Sequence, residues 1–176
     1  MVDCMASSSK VRVPQRYARV NAWVISLDTD AEVLFLTSVF GGVETPGSRM
    51  VDADGNIDHV EVEVGESVIM LFDARPGWSP TPSHLRVYVG DVSTVVERAV
   101  AAGARVVTRP TLLAFGERVA RVRDAQGHLW WVHERVEDVA PEEMSRRFAE
   151  PTAQDAMAYV QRTLRDEMGA QRPNRP

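Results

Sequence analysis

The chain has 176 residues, 44% hydrophobic and 26% charged, and its 20 Lys and Arg against 25 Asp and Glu give a net charge of −5. That length holds one substantial core, with room for an internal duplication, and the composition is that of an ordinary globular protein. The acidic balance gives no electrostatic ground for a nucleic-acid or anionic-membrane partner, and apolar runs such as Val33 to Leu36 are far too short to span a bilayer.

The opening stretch MVDCMASSSKVRVPQRY lacks the apolar run of a secretory leader, so residues 1–16 are expected to form a flexible lead-in to a cytoplasmic protein. The single cysteine, Cys4, falls there, which excludes an intrachain disulfide and a cysteine-based metal cluster and leaves a free, exposed thiol as the expectation.

From Asn21 the chain reads NAWVISLDTDAEVLFLTSVFGGVE, a short β-rich run, an aspartate, a helical stretch, glycines and an extended pair. Thr29 and Glu32 fit a capping box, Val33, Leu36 and Phe40 supply an apolar face, and Gly41 and Gly42 stop the helix. The following IDHVEVEVGESVIMLFDA predicts two strands joined at Gly65. Alternation sends Val60, Val62 and Val64 to one face and His59, Glu61 and Glu63 to the other. The segment RPGWSPTPS, rich in proline, glycine and serine, reads as a linker.

From His84 the same order returns in HLRVYVGDVSTVVERAVAAGARVV. Asp91 is the expected N-cap, Val92, Val95, Val96, Ala99 and Val100 follow helical spacing, and Gly103 stops the helix. ERVARVRDAQGHLWWVHE then predicts a second hairpin turning at Gly127. Arg118, Arg121 and Arg123 read as a solvated strand face, His128 as a turn residue and His133 as exposed near the sheet edge. Beyond Glu134 a short helix, a break at Pro151 and a longer amphipathic helix are expected. Ala153, Ala156, Met157, Val160 and Leu164 share one face of that last helix, which would dock on its own domain or on a partner subunit. The end, AQRPNRP, is expected to be disordered.

These tokens carry a resemblance. The passages VISLDTDAEVLFLTSVFG and LRVYVGDVSTVVERAVAAGA, the D-x-x-G-H turn from Asp124 to His128 and the tail VEDVAPEEMSRR, taken in order, resemble the glyoxalase, bleomycin-resistance and extradiol-dioxygenase superfamily, the vicinal oxygen chelate proteins. The resemblance implies an α+β fold of two βαβββ modules with cupped mixed sheets around a small-molecule cavity, and commonly a homodimer. On this reading residues 17–135 are the domain, with module one at 17–74, a linker at 75–82 and module two at 83–135, and residues 136–176 are a helical extension.

Metal-dependent members of that superfamily hold a divalent ion through four side chains from the first and last strands of each module. The matching positions are Asn21, Met70, His84 and Trp131, of which only His84 is an ordinary ligand. Substituting His59, Glu61, His128 or His133 does not restore a four-ligand set. His59 and Glu61, on one face of a strand, could hold a metal only together with His84; a solvated or cavity-lining pair is the favoured reading, and no metal and no cofactor are expected. Glyoxalase-type isomerisation and extradiol cleavage, which need that Lewis acid, become the disfavoured activities.

The implied pocket-facing register places Asn21, Trp23, Ile25, Met70, Phe72, His84, Arg86, Tyr88, Leu129 and Trp131 on the cavity side, with Trp78 over the mouth and Trp130 on the helix side. Such a lining suits a planar organic ligand stacked on Trp23, Tyr88 or Trp131, with Arg86 drawing an anionic group. The expected function is metal-independent binding or sequestration of an aromatic metabolite or antibiotic. The alternative is a metal-free isomerase, cyclase or lyase with His84 as catalytic acid or base beside Tyr88 or Glu61. A third possibility is a cup filled by its own side chains, with the last helix as an interaction element.

Overall fold

The computed structural model describes residues 13–79 and 81–170. The lead-in through residue 12, including Cys4, and the end from residue 171 lie outside the described residues. Module one comprises β1 (Ala22–Ser26), α1 (Thr29–Phe40), β2 (Val43–Glu44), β3 (Met50–Val51), β4 (Ile57–Val64) and β5 (Ser67–Asp73). Module two comprises β6 (His84–Tyr88), α2 (Val92–Ala101), β7 (Arg105–Leu112), β8 (Glu117–Arg123) and β9 (Leu129–Arg135), followed by α3 (Pro141–Phe148) and α4 (Pro151–Ala170). The fold class is the expected α+β arrangement of two mixed sheets with C-terminal helices.

Each module builds its own sheet, in the order β1-β5-β4-β2 with β3 beside β4, and β6-β9-β8-β7. β1 runs parallel to β5 and β6 parallel to β9, while the hairpins are antiparallel. The pairings Trp23 with Met70 and Arg86 with Trp131 occupy equivalent places, so the internal repeat extends to strand register. It extends also to capping. Asp28 and Asp91 are the N-caps of α1 and α2 through their carboxylates, and a carboxylate at the end of the neighbouring strand takes the next free N–H in each module. That partner is Asp73 for the Thr29 N–H at 2.9 Å and Glu134 for the Val92 N–H at 3.1 Å.

The expected Thr29 to Glu32 capping box is therefore corrected. Asp28 already accepts from the Ala31 N–H, Thr29 lies inside the helix, and Glu32 is turned into the interior. Gly41 closes α1 in the left-handed region at φ 69°, where a side chain would be strained. At Gly42 a Cβ would stand 2.8 Å from Val62 Cγ1, so this glycine lets the chain pass close over β4.

One core serves both modules. Leu36 and Val39 of α1, Val92, Val96 and Ala99 of α2, and Val60, Val62, Val122 and Val132 of the strands are buried together around Trp130, whose ring meets Phe35 and Phe40. Each fully buried side chain of this kind stabilises by about 1.5–3 kcal/mol. Val100 was expected on the buried stripe of α2 but is exposed, because at helical spacing it falls at the outer edge of the arc that Val92, Val95, Val96 and Ala99 bury.

Helix α4 begins at Pro151 and docks on its own chain, against β7 and β8 on the face opposite α2. Val160 packs there with Leu113, Val119, Ala156, Met157 and Tyr159. No helix among the described residues is long and apolar enough to cross a membrane.

Candidate binding site between the modules

The edge strands β1 and β6 face each other across the module boundary, and their two ends are treated differently. At one end the turn after β8 closes the gap. Gln126 Oε1 accepts the N–H groups of Leu27 and Asp28, both at 3.1 Å, and buried His128 lies 3.3 Å from the Ser26 hydroxyl while its Nδ1 accepts the Ser83 N–H. His128 sits at the turn, as expected, and is buried there. Its burial pushes its pKa down, against the pull of Asp124, and an uncharged ring with Nδ1 as acceptor satisfies both contacts.

At the other end the equivalent hairpin after β4 is a turn of only Gly65 and Glu66, and Ser67 stands where module two has His128. No long amide reaches across. A cavity of about 930 Å³ remains, bounded by Gly65–Ser67 on one side and Val89–Asp91 on the other. Phe40, Val64, Leu85, Val87 and Trp130 give it an apolar wall, and Asn21, Arg86, Tyr88 and Arg98 bring polar groups. A volume of this order accepts a drug-sized molecule.

Three of the eight residues nominated from the sequence, Asn21, Arg86 and Tyr88, line this cavity. Trp23, Met70, Phe72, His84 and Trp131 are not among its wall residues. They lie on the sheet faces turned away from the helices, where alternation had put them. On module one that face is open and aromatic. Trp23 is 52% exposed, with Phe72 edge-on at 5.3 Å and His59 at 5.6 Å, and Trp78 packs edge-on to Phe72 rather than over the cavity. Beside them Glu61 is buried beneath the N-terminal segment, accepting from Arg16 and from the Tyr17 hydroxyl, each at 2.6 Å. Burial alone would raise its pKa, but bonds from Tyr17 and His59 and the Arg16 charge outweigh it and keep Glu61 ionised.

On module two the same face is filled. Arg121, expected on a solvated surface, is buried and lies 3.9 Å over the Trp131 ring, with Thr108 Oγ1 and the Val160 carbonyl as acceptors. Burial lowers its pKa to about 10, still protonated at neutral pH. Arg123 is also buried and pairs with Glu167 of α4, which Arg105 holds from the other side. Only Arg118 points to the α2 side, paired with Glu134 at 2.9 Å. These arginines anchor a helix lying about 40 residues downstream in the chain, and nothing in the local strand pattern signals it.

A second group was missed. His133, expected to be exposed, is buried, and its Nδ1 stands 2.8 Å from Glu117 Oε2. Glu117 also accepts from the Tyr88 hydroxyl at 3.3 Å and from Arg135 at 3.2 Å. Burial pushes the His133 pKa down, helped by Arg86 and Arg121 and opposed by Glu117. The partners of Glu117 keep it ionised despite burial, so Nδ1 carries the proton of a neutral ring and Nε2 is left basic. The signal was present in the sequence, since Tyr88 and His133 are Cα partners once β6 and β9 are paired. Exposed His84, the nominated acid or base, is not in this group.

The residues at the four metal-matched positions do not fit a divalent ion. Asn21 uses its amide on the Ala18 backbone in both directions, Met70 offers a thioether, and Trp131 lies under a guanidinium. Among the described residues no three His, Cys, Asp or Glu side chains are grouped to hold a metal ion.

The fold and the cavity define a two-module protein of the vicinal oxygen chelate type. The chain belongs to the Glyoxalase-like domain family, whose profile matches residues 23–133. It is 30% identical over 128 residues to Uncharacterized protein Mb0911c of Mycobacterium bovis, covering 66% of this chain and 83% of that one. Among solved structures, TioX from Micromonospora sp. ML1 superposes with a TM-score of 0.54 at 28% identity, covering 70% of this chain and 98% of TioX. The fosfomycin resistance protein FosX from Listeria monocytogenes shares the fold, with a TM-score of 0.54 at 19% identity, over 72% of this chain and 97% of FosX.

Proposed function

We propose that this protein binds a small aromatic metabolite or antibiotic in the cavity between its modules, without a metal ion. The observation that carries the reading is the cavity of about 930 Å³, with an apolar wall and with Asn21, Arg86, Tyr88 and Arg98 among its lining residues. The donor set at the metal-matched positions supports metal independence, and resistance to an antibiotic is what the name of FosX states for that protein. We place the protein in the cytoplasm as a homodimer, a state supported by exposed Val43, Met50 and Val51 on the short strands of module one and testable by sedimentation.

Trp130 in the wall makes fluorescence a direct probe. Screening planar anionic aromatics should find saturable quenching that EDTA leaves unchanged. Arg86→Ala should weaken it about tenfold, a loss of about 1.4 kcal/mol. Binding that appears only with added divalent metal would overturn the reading.

A second reading, metal-free proton transfer, is favoured by one observation, the Tyr88 hydroxyl reaching Glu117 beside His133. It predicts turnover abolished by His133→Ala, or by His84→Ala if the exposed imidazole is the acid or base. Under the binding reading both variants keep most of their affinity and no turnover is seen.

A further inference from the structure

Away from the cavity, α1 carries a feature that the repeat makes conspicuous. Thr29, Glu32, Val33 and Leu36 of α1 occupy the turns that Val92, Val95, Val96 and Ala99 occupy in α2, and all eight are buried. Two polar residues therefore stand where the sister module has valines. Glu32 is 1% exposed, and neither of its carboxylate oxygens has a partner, nor does Thr29 Oγ1. Such a group costs stability with nothing in the protein to offset it. Positions that break the local rule in this way are where function is to be sought.

Glu32 lines a second cavity, of about 470 Å³, between α1, the end of α2 and the turn after β8. Its walls are largely apolar, from Ala31, Leu34 and Phe35 of α1 and Ala101 and Ala102 of α2. The charged groups that face it are Glu32 from α1, Asp124 from the turn and Arg98 from α2 at the exposed rim. Asp124 spends one oxygen on the His128 N–H at 2.8 Å and the other on the Trp130 indole at 2.7 Å. Two carboxyls with no third oxygen or imidazole ligand do not make a metal site. They do make an acidic floor under an apolar channel.

We infer that this cavity is a binding site for a primary alkylammonium ion with a short apolar body, its charged head on Glu32 and its chain along Leu34, Phe35 and Ala101. A neutral ligand would leave Glu32 protonated beside Asp124, whereas a cation supplies the counter-charge against which Glu32 can ionise. Arg98 at the rim disfavours a second positive charge, which points to monoamines. In the empty site burial, and then Asp124, raise the Glu32 pKa to about 9, so at pH 7.5 the carboxyl holds its proton. A bound ammonium favours the carboxylate, as does the first turn of a helix. Binding therefore sends one proton from Glu32 to solvent while the amine stays protonated.

The test is calorimetric titration of the full chain with n-butylamine at pH 7.5, in two buffers of different ionisation heat, with n-butanol as the neutral isostere. The expected result is saturable binding of the amine, at least tenfold weaker binding of the alcohol, and release of close to one proton per amine bound. Glu32→Gln, isosteric with the protonated carboxyl, should lose amine binding at least tenfold and its proton release entirely. Equal binding of amine and alcohol, absence of saturable amine binding, or absence of proton release from the native chain would each overturn the proposal. So would a folded Glu32→Gln variant that binds the amine as well as the native chain does.

Discussion

The two sheet faces that look away from the helices began as copies of one pattern and ended in different states. On module one Trp23 and Trp78 remain about half exposed beside half-buried Phe72, and Glu61 is covered by Arg16 and Tyr17. On module two α4 covers β7 and β8 and buries Arg121, Arg123 and Val119. A half-polar sheet face is thus compatible with an aromatic landing surface or with a docked helix, and what separates the two is whether a later segment supplies matching acceptors. Here the Val160 carbonyl, Glu167 and Thr163 supply them.

The largest expected effect tests whether the two modules are one unit despite this difference. Trp130→Ala removes the ring at the centre of the shared core and should cost about 3–5 kcal/mol, with a single unfolding transition in urea. Two separated transitions would break the claim of one core.

Glu167→Ala strands buried Arg123 without its carboxylate and should cost about 3 kcal/mol, loosening α4 so that amide exchange on β7 and β8 rises while that on β4 and β5 does not. Uniform change across both sheets would show that the helix does not act on module two alone.

Glu32→Gln sharpens the contrast between the helices that back the two faces. The Glu32 pKa is raised on folding, so the unfolded chain releases its proton first as pH rises past about 4.5. Native stability attributable to this group is complete below that pH, falls with rising pH at up to about 1.4 kcal/mol per unit, and stops falling above about 9. The variant should lack this descending slope, so its advantage over the native chain grows from pH 5 to pH 8 in denaturant titrations.

The smallest effect belongs to the open face. Trp23→Ala, half exposed beside Phe72, should change stability by less than about 1 kcal/mol, against the large cost at Trp130. A loss comparable to that of Trp130→Ala would mean that the module-one face is covered in the protein's working state.

Much of this was legible along the chain. The repeat, both long helices, the hairpin turns at Gly65 and Gly127 and the break at Pro151 follow from patterns spanning a few residues, which local backbone preference and burial of one face fix directly. Placing Trp130 on the helix side followed from alternation and agrees with its position in the core. The arginines and His133 were misjudged for a common reason. Alternation tells which face a residue takes, and the fate of that face depends on segments far away in sequence.

The sequence by itself determined two βαβββ modules, their hairpin turns and the Asp91 cap of the second helix, because each follows from spacing or from side-chain chemistry. Only the tertiary structure decided where the space lies. The cavity sits where a short Gly65–Glu66 turn faces Val89–Asp91 without a counterpart to Gln126, and the second one where Glu32 meets Asp124. Both arise from how two nearly equivalent modules are set against each other, a relation that local periodicity does not carry.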